Sequence, residues 1–271
     1  MWSLTPKKTT ATRRMTDESM SFWEHLDALR SAIVRSVVVS LAFTVVAFVF
    51  KNSLFDVVLA PRNADFITYR LLGQLSAFFG GELEPFSVKL INTGLAQQFV
   101  AHLQMALCMG VVCASPYVVY QFFHFVSPAL YDNERRYAHL ILPCAYLLFF
   151  VGVLSSYFLL FPLTFRFLGT YQVSVEVENL ISLESYISTL LVMSLTMGVV
   201  FELPIVCWLL AKFGLLNSSL MKQYRKHAFV AILIVAAVIT PTADAFTLFA
   251  VALPVYLLYE VSLKVVKRVE N

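Results

Sequence analysis

Charge is what this sequence has least of. Asp, Glu, Lys and Arg together make up 14% of its 271 residues, against about 25% in an ordinary soluble domain. Apolar residues reach 59%, an excess too large to hide inside one water-soluble core. No Gly/Pro/Ser-rich linker, low-complexity tract or internal repeat divides the chain, so it reads as one domain. Cysteine is scarce as well. Cys108, Cys113, Cys144 and Cys207 each lie inside an apolar stretch, with no CxxC pair and no ligand-spaced histidine nearby. That excludes a disulfide framework or a thiolate metal site, and the four read as small buried hydrophobes. The five histidines are scattered singly. There is no Ser/His/Asp arrangement, no HExxH, no phosphate loop and no intramembrane Asp pair. The expectation is therefore a protein that is not an enzyme, with no cofactor, no metal and no nucleic-acid partner.

Apolar and aromatic residues fill the space that charge leaves. The 24 Phe and 12 Tyr suit lipid contact and interfacial belts. Six apolar segments run at about 32–50, 99–122, 139–162, 187–211, 228–240 and 245–263. A helix needs ~20 residues to cross a ~30 Å hydrocarbon core, which the first four satisfy. The fifth is short and the sixth is interrupted by Pro254, so these two read as a short hairpin turning at 240–244 that thins the bilayer locally. Pro116, Pro143, Pro162, Pro241 and Pro254 predict kinks. The fold class is an all-α integral membrane protein: six transmembrane helices in a kinked, concave bundle, the fifth and sixth short. Residues 1–20, including Arg13-Arg14, read as a disordered cytosolic tail. Residues 21–271 form the single six-helix domain, with 51–98 as an outer cap of short helices.

Orientation follows from Lys and Arg. Fifteen lie on the side of the N-terminus, including Arg30, Arg135, Arg136, Lys222 and Lys264. Lys51, Arg62, Arg70, Lys89 and Arg166 make five on the other. Both termini are then cytosolic.

Against so apolar a background, a few polar residues stand out. Ser21-Phe22-Trp23-Glu24 has the form of a capping box, and Phe22, Leu26, Leu29 and Ile33 recur at helical spacing. This predicts an amphipathic helix running into the first span. Glu24 and Asp27 share a face, either favouring the helix macrodipole or presenting acceptors. Residues 125–136, which include Phe125, Pro128, Leu130, Tyr131, Glu134 and Arg135, form a cytosolic loop where Glu134 either pairs with its arginine neighbours or meets a ligand. Glu202 sits mid-span before Pro204. A carboxylate there costs roughly 2.5–3.5 kcal/mol, so it is expected to face a bundle interior or a partner. Gln121 and Asp244 are further polar residues in or beside spans.

At these positions the chain resembles the TatC family, the multi-spanning core subunit of the twin-arginine translocase. Phe22-Trp23-Glu24-His25-Leu26-Asp27-Ala28-Leu29-Arg30 is similar to the family's Phe-x-x-His-Leu-x-Glu-Leu-Arg motif. Residues 114–121 with 125–131 and Glu134-Arg135 resemble its most distinctive stretch. Phe201-Glu202-Leu203-Pro204 and 240–244 match its fourth-span motif and the turn before its last span. The family's first-helix glutamate is Ala28 here. A glutamate common before the second span is Gln97, and a lysine further along it is Gln104. The resemblance implies a receptor for twin-arginine signal peptides, working with TatA-like and TatB-like single-span partners, self-associating in membrane lipid, and exporting folded proteins on the proton motive force. It implies signal-peptide contacts at Glu134, Glu24, Asp27, His25, Leu26, Arg30, Phe125, Pro128, Leu130, Tyr131 and Arg135. Glu202, Gln121 and Asp244 are then intramembrane polar or partner contacts. The alternative reading is a proton-coupled small-molecule transporter, against which stands the lack of paired repeats.

Overall fold

The computed structural model describes residues 22–78, 80, 88–126, 138–171, 180–240 and 244–270. Within them the chain is almost wholly helical. The first helix, α1 (Phe22–Val49), is continuous from the amphipathic motif through the first apolar run. Two short helices, α2 (Lys51–Leu59) and α3 (Ile67–Phe78), follow. Next come α4 (Gln97–Val126), α5 (Ala138–Ser155), a π-helical turn at Ser156–Leu160 and α6 (Phe161–Thr170). The series ends with α7 (Leu183–Val200), α8 (Leu203–Lys212), α9 (Ser218–Gln223), α10 (Arg225–Ile239) and α11 (Ala245–Glu270). One two-residue parallel pair, β1 (Leu90–Ile91) with β2 (Ile181–Ser182), joins the segments that precede α4 and α7.

Five helical stretches are long and apolar enough to cross a membrane: Trp23–Val49, Gln97–Val126, Ile141–Thr170, Leu183–Lys212 and Ala245–Glu270. Between them α10, with 15 residues, reaches only about 22 Å at ~1.5 Å per residue. The last helix corrects the sequence reading. It is not short: 26 residues run unbroken through Pro254. Proline removes one backbone donor but leaves the flanking helical bonds in place. The apolar window still closes at Leu263, and the helix outlasts it in Lys264, Lys267 and Arg268.

The helices expose apolar faces, as hydrocarbon requires: Val34, Val38, Val45, Leu147, Val192 and Ile234 all point outward. Inside, small residues let backbones approach. A Cβ on Gly110 of α4 would stand 2.7 Å from the Thr44 backbone nitrogen of α1, and one on Gly152 of α5 would stand 2.6 Å from the Met197 carbonyl of α7. Thr44 donates its own hydroxyl back to Ser40 O at 2.8 Å, so no polar atom is left open at that crossing. Cysteine divides differently from expectation. Cys108 is buried, but Cys113 and Cys144 are exposed on the outer surface of the bundle, where a thiol is as acceptable to lipid as to a core.

Two prolines show how freed carbonyls are used. Pro116 cannot donate to Val112 O, and the Ser115 hydroxyl donates to that carbonyl at 2.7 Å. Pro162 likewise leaves Phe158 O unclaimed at the π-turn, and Thr68 of α3 donates its hydroxyl to it. Tyr69 donates to Pro61 O at 3.0 Å and Pro162 O at 3.2 Å, Tyr157 to Val57 O at 2.6 Å and Tyr186 to Val58 O at 3.0 Å. These bonds, with Tyr69 and Tyr186 buried, fasten α2 and α3 across the ends of the long helices. Burial also pushes the Tyr69 hydroxyl well above its ordinary value, with Arg166 opposing, so it remains a donor.

Candidate functional site

The first turns of α1 meet the last turn of α4. His25 stacks on Phe125 with ring centroids 4.2 Å apart and planes at 26°. This contact brings together two stretches a hundred residues apart and fixes the rotation of α1. With 100° per residue, Ala28 lies about 60° from His25 around the helix, Glu24 about 100° and Asp27 about 160°. Glu24, Leu26, Asp27 and Arg30 are exposed, while His25, Ala28 and Leu29 are partly covered. Leu29, about 40° from His25, stands nearest α4 with Ala28 next, and both acids lie further round on the side of Ala28, Asp27 furthest. Phe125 is the penultimate residue of α4, and residues 127–137 leave from its end. Glu134, Pro128, Leu130, Tyr131 and Arg135, all implicated by the sequence, lie outside the described residues.

Glu202 occupies the turn between α7 and α8. Pro204 sits in the first turn of α8 and has no N–H for Val200 O, while the Glu202 N–H bonds Val199 O at 3.1 Å. The side chain lines a cavity of about 420 Å³ whose walls include Ser115, Val119 and Phe122 of α4, Phe149 of α5 and Leu209 of α8. Its Oε1 is buried and has no hydrogen-bond partner among the described residues. Ser115, the other polar residue of the cavity, is committed to Val112 O. An unpaired carboxylate in so apolar a wall is costly, and a donor brought from outside would lower that cost. The cavity follows α4 from Val111 to Phe123 and so ends two residues short of Phe125.

Gln121 and Asp244 make local contacts. Gln121 is buried and donates to Tyr117 Oη at 2.6 Å within its own helix. Asp244 caps α11, with Oδ2 accepting from Thr247 N at 2.7 Å and Thr247 Oγ1 at 2.6 Å. Glu260 pairs with Arg225 at 2.7 Å and ties α10 to α11. Gln97, one of the departures from the family pattern, receives Thr93 N and Gly94 N at 3.1 and 3.0 Å and donates to Glu184 at 2.5 Å. It organises the start of α4. The sequence reading missed His102, buried and stacked on Phe48 at 4.1 Å with Nε2 unpartnered. Only its place in an apolar run hinted at burial.

Comparison with known proteins finds one family. The family model described as "Sec-independent protein translocase protein (TatC)" matches residues 24–254. A TatC of Blattabacterium sp. subsp. Periplaneta americana is 36% identical over 250 residues, covering 90% of this chain and 94% of that one. A TatC of Deinococcus radiodurans is 33% identical over 242 residues, 89% of this chain and 84% of that one. A crystal structure of the twin arginine translocase receptor TatC superposes with a TM-score of 0.73 at 30% identity, covering 92% of this chain and all of that one (100%).

Proposed function

Because the chain belongs to the TatC family of Sec-independent protein translocase components, we propose that it receives twin-arginine signal peptides at the end of the bundle where α1 meets α4. The observation that carries this reading is the His25–Phe125 stack, which sets the first turns of α1 against the end of α4, from which the chain continues to Glu134. A guanidinium presents a planar fork of donors that a carboxylate accepts bidentately. Glu134 is the main acceptor for one arginine and Glu24 contributes to the second, while Phe125, Leu26, Pro128, Leu130 and Tyr131 offer apolar contact to the residues around the pair. The apolar stretch of the signal peptide then follows α4 towards the cavity at Glu202, where a polar group of the peptide or of a TatA-like or TatB-like helix supplies the missing donor.

In this reading the fold is a six-span concave bundle, with α10 as the short fifth span and the prolines of α4, α5 and α11 bending it. Both termini are in the cytosol and the protein resides in the inner membrane. It acts by binding and assembly, with no catalytic residue, and export runs on the proton motive force. Membership of this family gives the transporter alternative no support. The test is a pull-down of the detergent-solubilised chain with a twin-arginine signal peptide and with its Lys-Lys variant. Retention of the first at least tenfold over the second is expected, since lysine lacks the fork. Equal retention of both would overturn the receptor assignment.

A further inference from the structure

Lys264, Lys267 and Arg268 end α11 on a face of their own. Val261 lies three and four residues before Lys264 and Val265, which lie four and three before Arg268, so the four form one stripe along the helix. Ser262, Leu263 and Val266 are buried on the opposite side, and the three basic residues are exposed. The acids of the same helix do not neutralise them. Glu260 is taken by Arg225 at 2.7 Å, and Glu270 accepts from Ser218 N at 2.6 Å. Among the described residues Lys264, Lys267 and Arg268 form no ion pair.

Beneath this basic rim lies a slot. A concavity lined by Val261, Lys264, Val265, Lys267 and Arg268 shares Val261 and Val265 with a second one of about 510 Å³. The second runs between α5, α8 and α11, past Cys144, Leu148, Pro204 and Trp208. Its side chains are apolar apart from the thiol and the indole N–H, and Trp208 is a residue suited to the headgroup level. The combination is a charged mouth over an apolar trough open to the membrane. It differs from a scattered positive end, which would fix orientation without forming a concavity.

We infer that this groove is a binding site for an anionic diacyl phospholipid, its phosphate held by Lys264, Lys267 and Arg268 and an acyl chain lying in the slot between α5, α8 and α11. The occupant follows from charge: three cations near a surface favour an anionic headgroup by electrostatics alone, and a zwitterionic lipid fills the slot without answering the rim. A soluble phosphate satisfies the rim but leaves the slot empty. None of its lining residues belongs to the His25–Phe125 junction, while Ile205 also lines the cavity at Glu202.

The chain has three tryptophans, so Trp2→Phe with Trp23→Phe leaves Trp208 as the sole reporter in the slot. This variant is placed in phosphatidylcholine nanodiscs doped with brominated phosphatidylglycerol or, at the same mole fraction, brominated phosphatidylcholine. Quenching of Trp208 should reach half its maximum at a roughly tenfold lower fraction of the anionic lipid. The preference should shrink with added salt and vanish in Lys264→Gln/Lys267→Gln/Arg268→Gln. These residues are exposed, and helicity by circular dichroism confirms that the variant is folded. Equal quenching by the two lipids in the parent would overturn the site, since ordinary bilayer contact suffices to explain it. An undiminished preference in the triple variant would overturn it too, because the headgroup is then held elsewhere.

Discussion

Glu24 and Asp27 differ by three positions, and that small difference separates them around the helix. The His25–Phe125 stack turns α1 so that Asp27 lies about 160° from the α4 contact and Glu24 about 100°. Both acids were legible from the motif, but the rotation was not, because it depends on an aromatic contact a hundred residues away. Truncating one partner of a charge pair costs roughly 2–5 kcal/mol when desolvated, and a solvent-facing site gives the lower end. Glu134→Gln is therefore expected to weaken twin-arginine peptide binding most, by about 2 kcal/mol, with Glu24→Ala next and Asp27→Ala least. Isothermal titration with the peptide ranks them. An unchanged affinity in Glu134→Gln refutes the main acceptor, and a larger loss in Asp27→Ala than in Glu24→Ala refutes the geometry. Glu202 was legible for another reason, as a lone acid in an apolar run, and the structure adds its unpartnered Oε1. Glu202→Ala should insert and melt no lower than the parent, since the buried carboxyl it removes has no hydrogen-bond partner at Oε1 among the described residues, yet export cargo more slowly. Export at the parental rate would make the residue a passenger.

At the scale of elements, hydropathy located the long helices because lipid imposes one requirement along their whole length. It could not locate their ends. Lys264 closes the apolar window of α11 but not its backbone ladder, which runs on to Glu270. The short helices α2 and α3 were legible from their amphipathic pieces, whereas their docking was not, since Thr68 meets Phe158 across ninety positions. That docking makes a prediction. Pro162 leaves Phe158 O without its helical donor, and Thr68 replaces it. Thr68→Val keeps the shape and removes the hydroxyl, so the Phe158 carbonyl loses this partner at a net cost of about 0.5–1.5 kcal/mol. Limited proteolysis within α3 should accelerate in Thr68→Val and return to the parental rate in Thr68→Ser, which restores the donor. If Thr68→Val resists protease as the parent does, the cap is held by its tyrosines alone.

For the whole molecule, the distribution of charge decides which end faces the cytosol. Fifteen of the twenty Lys and Arg belong to segments that six spans place on one side, and this asymmetry orients a bundle because basic loops resist translocation. The architecture depends on α10. Five helices pass the length needed to cross, while α10 has 15 residues and spans about 22 Å, short of a ~30 Å core. If α10 does not cross, the ends of the chain fall on opposite sides. If it crosses by thinning the bilayer, they fall on the same side, and α9 and the start of α10, rich in Lys222, Arg225 and Lys226, share it. The Arg225–Glu260 pair at 2.7 Å favours the second arrangement, since it joins the start of α10 to the basic end of α11. Reporter fusions after Asn271 and within 217–226 should therefore both report the cytosol, and fusions within 75–85 and 172–180 the opposite side. An outer-side signal at Asn271 together with a cytosolic one at 217–226 would mean that α10 lies along the membrane surface, and the bundle would then have five spans.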